Sequence, residues 1–99
     1  MNISERYPET KNMSFDQKYD FLVSEIGFKN ISPLMPVSKK ELRKAFRKDQ
    51  NFNTIPIEKW DANAAYIARL LKDQCGINVS SKSQCVCILK ACARQIALD

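Results

Sequence analysis

The sequence predicts an all-α fold: a small single domain of four helices with a polar N-terminal arm. Three observations carry that prediction. Apolar residues recur at helical spacing in four separate stretches. Three of those stretches open on a Ser followed three residues later by Gln or Glu, the capping-box spacing. Only two glycines are present and β-branched runs are short, so the tight turns of a sheet have few residues to form them. At 99 residues and 44% hydrophobic content the chain supports one core and has no room for two.

Residues 1–13, "MNISERYPETKNM", form the arm, ordered only where Ile3 or Tyr7 finds a groove; residues 14–99 form the helical domain. The first helix is expected over 14–27. Ser14 and Gln17 are spaced to cap it, and Phe15, Tyr19, Leu22, Val23 and Ile26 fall on one face. Gly27 is placed to end it at positive φ, with Phe28 folding back over the end. "KNISPLMPV" then reads as a loop, since Pro33 and Pro36 lack donors and push the residues before them towards extended geometry. Leu34 and Met35 lie between the prolines. The favoured reading tucks them under the helices, and the sharper one exposes them as a contact for a protein partner.

The second helix, over 38–49, has the strongest start in the chain. Ser38 and Glu41 have capping-box spacing, and Val37 and Leu42 occupy the two positions of a hydrophobic staple. Leu42, Ala45 and Phe46 make a narrow apolar stripe, while Lys39, Lys40, Arg43, Lys44, Arg47 and Lys48 sweep a continuous half-circle opposite. "NFNTIPIEKWD" leads into a third helix over 57–75, with Thr54 or Asp61 as its cap. Trp60, Ala64, Ile67, Ala68, Leu71 and Cys75 face inward, three alanines among residues 62–65 suit close helix approach, and Gly76 is the stop. "INV" is read as a crossing loop rather than a strand. The fourth helix, over 81–97, starts at Ser81 with Gln84 at capping-box spacing and buries Cys85, Ile88, Leu89, Cys92 and Ile96.

Several chemistries find little support. No histidine is present, which removes the commonest general base and the imidazole metal ligand, and no glycine-rich phosphate loop appears. The carboxylates are scattered; Asp16 and Asp20 fall on the wet face of the first helix. The four cysteines lack paired C-x2–4-C knuckles, and helical phase separates Cys87 from Cys85 and Cys92, so they converge on no common metal. Cys75 and Cys85 could pair across a hairpin only in an exported protein; a buried free thiol is the simpler reading. Cys87 shares the outer face with Lys90 and Arg94, an environment that favours thiolate, although an incidental surface thiol is the preferred account. The expectation is therefore of no enzyme, no cofactor and no metal. No apolar run approaches the ~18 residues of a membrane span, and no signal-peptide core opens the chain, so a soluble cytoplasmic protein is expected.

The net charge of +5 favours acidic partners, and the 38–49 helix concentrates it. Such a helix suits nucleic acid, an acidic protein groove or an anionic membrane; the membrane reading is the weakest, because Leu42 and Phe46 are needed by the core. A solvated face with no partner is the plain alternative. A helix-turn-helix is disfavoured, since the third helix would enter the groove with a mixed face of Asp61, Ala65, Arg69, Lys72 and Asp73 after an overlong turn. Two readings stay open. One is a small non-catalytic protein contacting nucleic acid through Lys39, Lys40, Arg43, Lys44, Arg47 and Lys48, with Gln50, Asn51 and Asn53 nearby. The other is an adaptor, inhibitor or immunity-type factor that occupies a protein partner, with Leu34 and Met35 as contacts. The cysteine geometry yields a first test: treatment with a strong chelator should leave the unfolding midpoint unchanged, and a loss of stability would show that the sulfurs do converge.

Overall fold

The computed structural model describes residues 2–79 and 81–99. Met1, first residue of the expected arm, and Ser80 lie outside them. Helices account for the regular structure among these residues, and no strand occurs. The arm is folded. Asn2 caps a single turn, α1 (Ile3–Arg6), its side-chain oxygen accepting from the Glu5 N–H at 2.9 Å. A 3-10 turn over Pro8–Asn12 follows, with proline at its start where a missing donor costs nothing. Ile3, Tyr7 and Thr10 are buried. The Thr10 hydroxyl donates to the Tyr7 carbonyl, Arg6 Nε donates to the Cys75 carbonyl at 3.1 Å, and the Tyr7 ring meets Phe21 edge-on at 5.2 Å.

Helix α2 (Phe15–Ile26) carries a complete capping box: the Ser14 hydroxyl accepts from the Gln17 N–H, and the Gln17 side chain accepts from the Ser14 N–H. Tyr19, Leu22, Val23 and Ile26 are buried as the period predicts, but Phe15 is 65% exposed, resting edge-on against Tyr19. As the first residue of the helix it projects past the core. Gly27 ends α2 at φ +104, where its N–H bonds the Val23 carbonyl. Phe28 does not fold back; it opens a further turn, α3 (Phe28–Ile31), continued by a 3-10 turn over Ser32–Leu34. The expected loop is thus mostly helical, because Pro33 sits in a first turn that needs no N–H from it. Leu34 and Met35 are half-buried against the core, and the Leu34 carbonyl accepts from Asn63 Nδ2 at 2.7 Å.

Helix α4 (Lys39–Lys48) begins at Ser38, whose hydroxyl accepts from the Glu41 N–H at 3.3 Å; the return bond from the Glu41 side chain is not made, so the box is half-formed. After Asp49 the chain reverses through Phe52, whose φ of +57 is the left-handed region that a bulky residue enters at a cost of about 1–3 kcal/mol. Full burial of the Phe52 ring between Phe46 and Trp60, centroids 5.7 Å away on each side, offsets that cost. The expected third helix is broken. It runs as α5 (Ile57–Asp61) and α6 (Ala64–Leu70) and ends in a π turn over Leu71–Cys75. The break falls at Asn63, which leaves helical geometry while its side chain holds the Leu34 carbonyl. The inward face survives it, with Trp60, Ala64, Ile67, Leu71 and Cys75 all buried. Of the three alanines expected to allow close approach, Ala64 is buried, whereas Ala62 and Ala65 are exposed. Gly76 closes the π turn in αL geometry (φ +68), and the Ile77 N–H reaches back to the Leu71 carbonyl.

Helix α7 (Lys82–Leu98) is the centre of the molecule, packing against α2, α4 and α6. Its cap differs from the expected box: the Ser81 hydroxyl accepts from the Ser83 N–H rather than that of Gln84. Beyond the five predicted positions it also buries Val86, Ala91 and Ala93. Two outcomes test this packing. Trp60, 1% exposed, should emit well to the blue of free indole. Leu89→Ala, at a fully buried site, should cost about 2–5 kcal/mol in urea unfolding, a drop of about 4–8 °C in Tm per kcal/mol.

Candidate functional site

The site is the outward surface of α4. At 100° per residue the six cations span a half-circle away from Leu42, Ala45 and Phe46, and Lys40 and Arg47 stand at its middle, the crest. Lys39 and Arg43 descend on one flank; Lys44, Lys48 and Glu41 descend on the other. Lys39, Lys40, Lys44, Arg47 and Lys48 are exposed. Arg43 is half-buried, and its Nη2 donates to the Asp99 main-chain oxygen at 3.0 Å, tying α4 to the end of α7. Arg47 Nε lies 3.4 Å from the Arg43 carbonyl. Arg43 is thus tied to a distant part of the fold, whereas the bond of Arg47 stays within its own helix. Gln50, Asn51 and Asn53 are exposed on the turn that follows, where the Asn51 N–H bonds Asp49 Oδ1.

The electrostatics separate this surface from the rest of the molecule. Among the described residues, the ion pairs within 4.0 Å are those of Arg94 with Asp16 and Asp20, across the contact of α7 with α2. None of the six α4 cations pairs with a carboxylate side chain. Four like-charged pairs stand at i,i+4 along the helix: Lys39–Arg43, Lys40–Lys44, Arg43–Arg47 and Lys44–Lys48. At about 0.2–0.5 kcal/mol each they oppose helix formation by roughly 1–2 kcal/mol. Arg47 and Lys48 recover part of this at the helix C-terminus, where cations oppose the macrodipole. The remainder is carried by the Ser38 cap and by the packing of Leu42, Ala45 and Phe46 on the core.

Two clefts flank α4. One, of 280 Å³, opens on the Lys44–Lys48 side towards Thr54, Pro56 and Lys59. Lys59 belongs to α5 and was missed by the sequence reading, because the helical pattern gives no sign of which residues the Phe52 reversal returns to α4. The other, also 280 Å³, is mainly apolar, with Phe28, Met35, Val37, Leu42 and Ile96 in its walls beside Ser32, Lys39 and Asp99. The second set of expected contacts is only partly available: Met35 lines this groove, while Leu34 packs against the core beside Asn63.

The cysteines offer no comparable site. Cys75, Cys85 and Cys92 are buried and all four thiols are unbridged. Cys87 corrects the sequence expectation. It is half-buried beside Tyr19 of α2, and burial pushes its pKa up, outweighing the thiolate-favouring charges of Lys90 and Arg94. The expectation treated α7 as one-sided, whereas α2 covers part of the strip that Cys87 occupies. No family model, curated protein or solved structure matches the chain.

The thiols set a pH dependence. Burial pushes Cys92 from the ordinary value of 9.0 up to about 12, so folding favours the neutral form. A folded-state pKa above the unfolded one gives stability that is complete below the ordinary thiol range and lost as pH rises towards about 12. The urea midpoint should therefore fall between pH 9 and 11, with Cys92→Ala flattening the decline. An equally steep decline in that variant would assign it to other groups, such as Tyr7, which burial and Cys75 also push up to about 12.

Proposed function

We propose that this is a small non-catalytic binding protein whose α4 surface contacts the phosphate backbone of nucleic acid. The observation that carries the reading is the row of exposed, uncompensated cations on α4, maintained against its own repulsion while Arg94 is paired elsewhere. The covering of Trp60 and the half-burial of Leu34 and Met35 support it further, since an adaptor built on those residues would present them at the surface. Contacts of this kind give affinity and orientation, with little sequence preference. The unbridged thiols fit a reducing compartment, and a cytoplasmic site of action belongs to the same proposal.

The competing reading, occupation of an acidic protein partner, draws on one observation: the apolar groove of Phe28, Met35, Val37, Leu42 and Ile96 beside Lys39. Direct binding to nucleic acid separates the two. Each phosphate neutralised releases condensed counterions, so binding to a 20-base-pair duplex should weaken steeply as salt rises. Lys40→Gln with Arg47→Gln removes the crest charges at exposed positions and keeps good helix formers. The double variant should fold as the parent does, bind more weakly across unrelated sequences, and lose about two units of salt slope. A parent that binds no duplex or single strand even at low salt, or a folded double variant that binds as tightly as the parent, overturns the proposal.

A further inference from the structure

The basic surface continues beyond α4. The reversal after Asp49 is fixed by a sequence of main-chain bonds, Phe52 N–H to the Asp49 carbonyl and Ile55 N–H to the Phe52 carbonyl, with both side chains buried. Pro56 then caps the start of α5, which brings Lys59 into the lining of the same cleft as Lys44, Lys48 and Thr54. Three lysines from two helices therefore line one concavity, and Glu41 is the acidic side chain in its lining. Among the described residues none of the three lysines has a carboxylate within 4.0 Å, Glu41 included. A concave surface lined mainly by one sign of charge concentrates the potential that draws in a counterion.

We infer that this cleft seats one phosphoryl group, so that Lys59 and Thr54 belong to the anion-binding surface although neither lies on the basic helix. The inference rests on the phosphate-contact reading of α4 and deepens it by naming where a phosphate sits. Lys44 and Lys48 on one helix and Lys59 on the other supply charge-assisted donors, and the Thr54 hydroxyl supplies a neutral one. At 280 Å³ the cleft is slightly smaller than the ~300–1,000 Å³ of pockets that enclose drug-sized ligands. It suits a phosphoryl group with its waters rather than a buried nucleotide. The group can come from a nucleic-acid backbone or from a free diphosphate, and the two sources are separable.

The test uses the whole chain with Lys59→Gln, and Arg69→Gln at an exposed position of α6 as the control. On the 20-base-pair duplex, Lys59→Gln should lower the salt slope by about one unit and Arg69→Gln should leave it unchanged. If the parent binds the duplex and Lys59→Gln leaves the slope unaltered, the inference is overturned while the α4 reading stands. If the parent binds no nucleic acid, the α4 reading fails, and titration with inorganic pyrophosphate followed by NMR decides the cleft alone. Saturable amide shifts at Lys44, Lys48, Thr54 and Lys59, lost in Lys59→Gln, would support a site for a free phosphoryl ligand. Absence of those shifts would overturn it.

Discussion

Helix α7 buries Cys85, Val86, Ile88, Leu89, Ala91, Cys92, Ala93 and Ile96. On a helical projection these cover an arc of about 220°, roughly twice the stripe of an ordinary surface helix. A helix of that kind cannot be satisfied by one neighbour, so α2, α4 and α6 surround it and each takes its orientation from it. Small residues at 91–93 let those neighbours approach closely. The position of the cationic crest follows: α4 turns Leu42, Ala45 and Phe46 towards the core, and its charges have only the outward side left to occupy.

Beneath the crest lies the aromatic row of Phe46, Phe52 and Trp60, with the Lys90 ammonium 5.8 Å from the Trp60 ring centre. Trp60 Nε1 is buried without a hydrogen-bond partner among the described residues, a cost of about 1–3 kcal/mol. Aromatic contacts worth about 0.5–1.5 kcal/mol each and a partly desolvated cation–π contact are of the right size to offset it. The row does more than fill space. It fixes the reversal at Phe52, and with it the distance over which two separate helices present their lysines to one cleft.

The parts of the fold that were legible in the sequence are those whose determinants are local. The α2 capping box, the Ser38 start of α4, the positive φ at Gly27 and Gly76, and the inward residues of the third helix all follow from spacing within a few residues. The rest depends on partners far along the chain. Asn63 interrupts its helix while bonding the Leu34 carbonyl 29 positions away, and Arg6 reaches Cys75 across 69. The candidate surface divides in the same way. The α4 crest could be drawn from helical period alone, but the tether from Arg43 to Asp99 and the arrival of Lys59 needed the folded chain. Cys87 was misjudged for a related reason: period tells which side of a helix a residue occupies, and says nothing of how many sides are covered.

The four unbridged thiols carry a consequence for recovery after unfolding. In the native chain the fold shields Cys75, Cys85 and Cys92 from one another's chemistry and from solvent. Once the chain opens, all four become accessible together, and any oxidant can join them in pairings that the native packing does not accommodate. Renaturation in air would then compete with mispaired, kinetically trapped species, while a reducing buffer keeps the return path open. Apparent durability is thus a property of the redox environment as much as of the core.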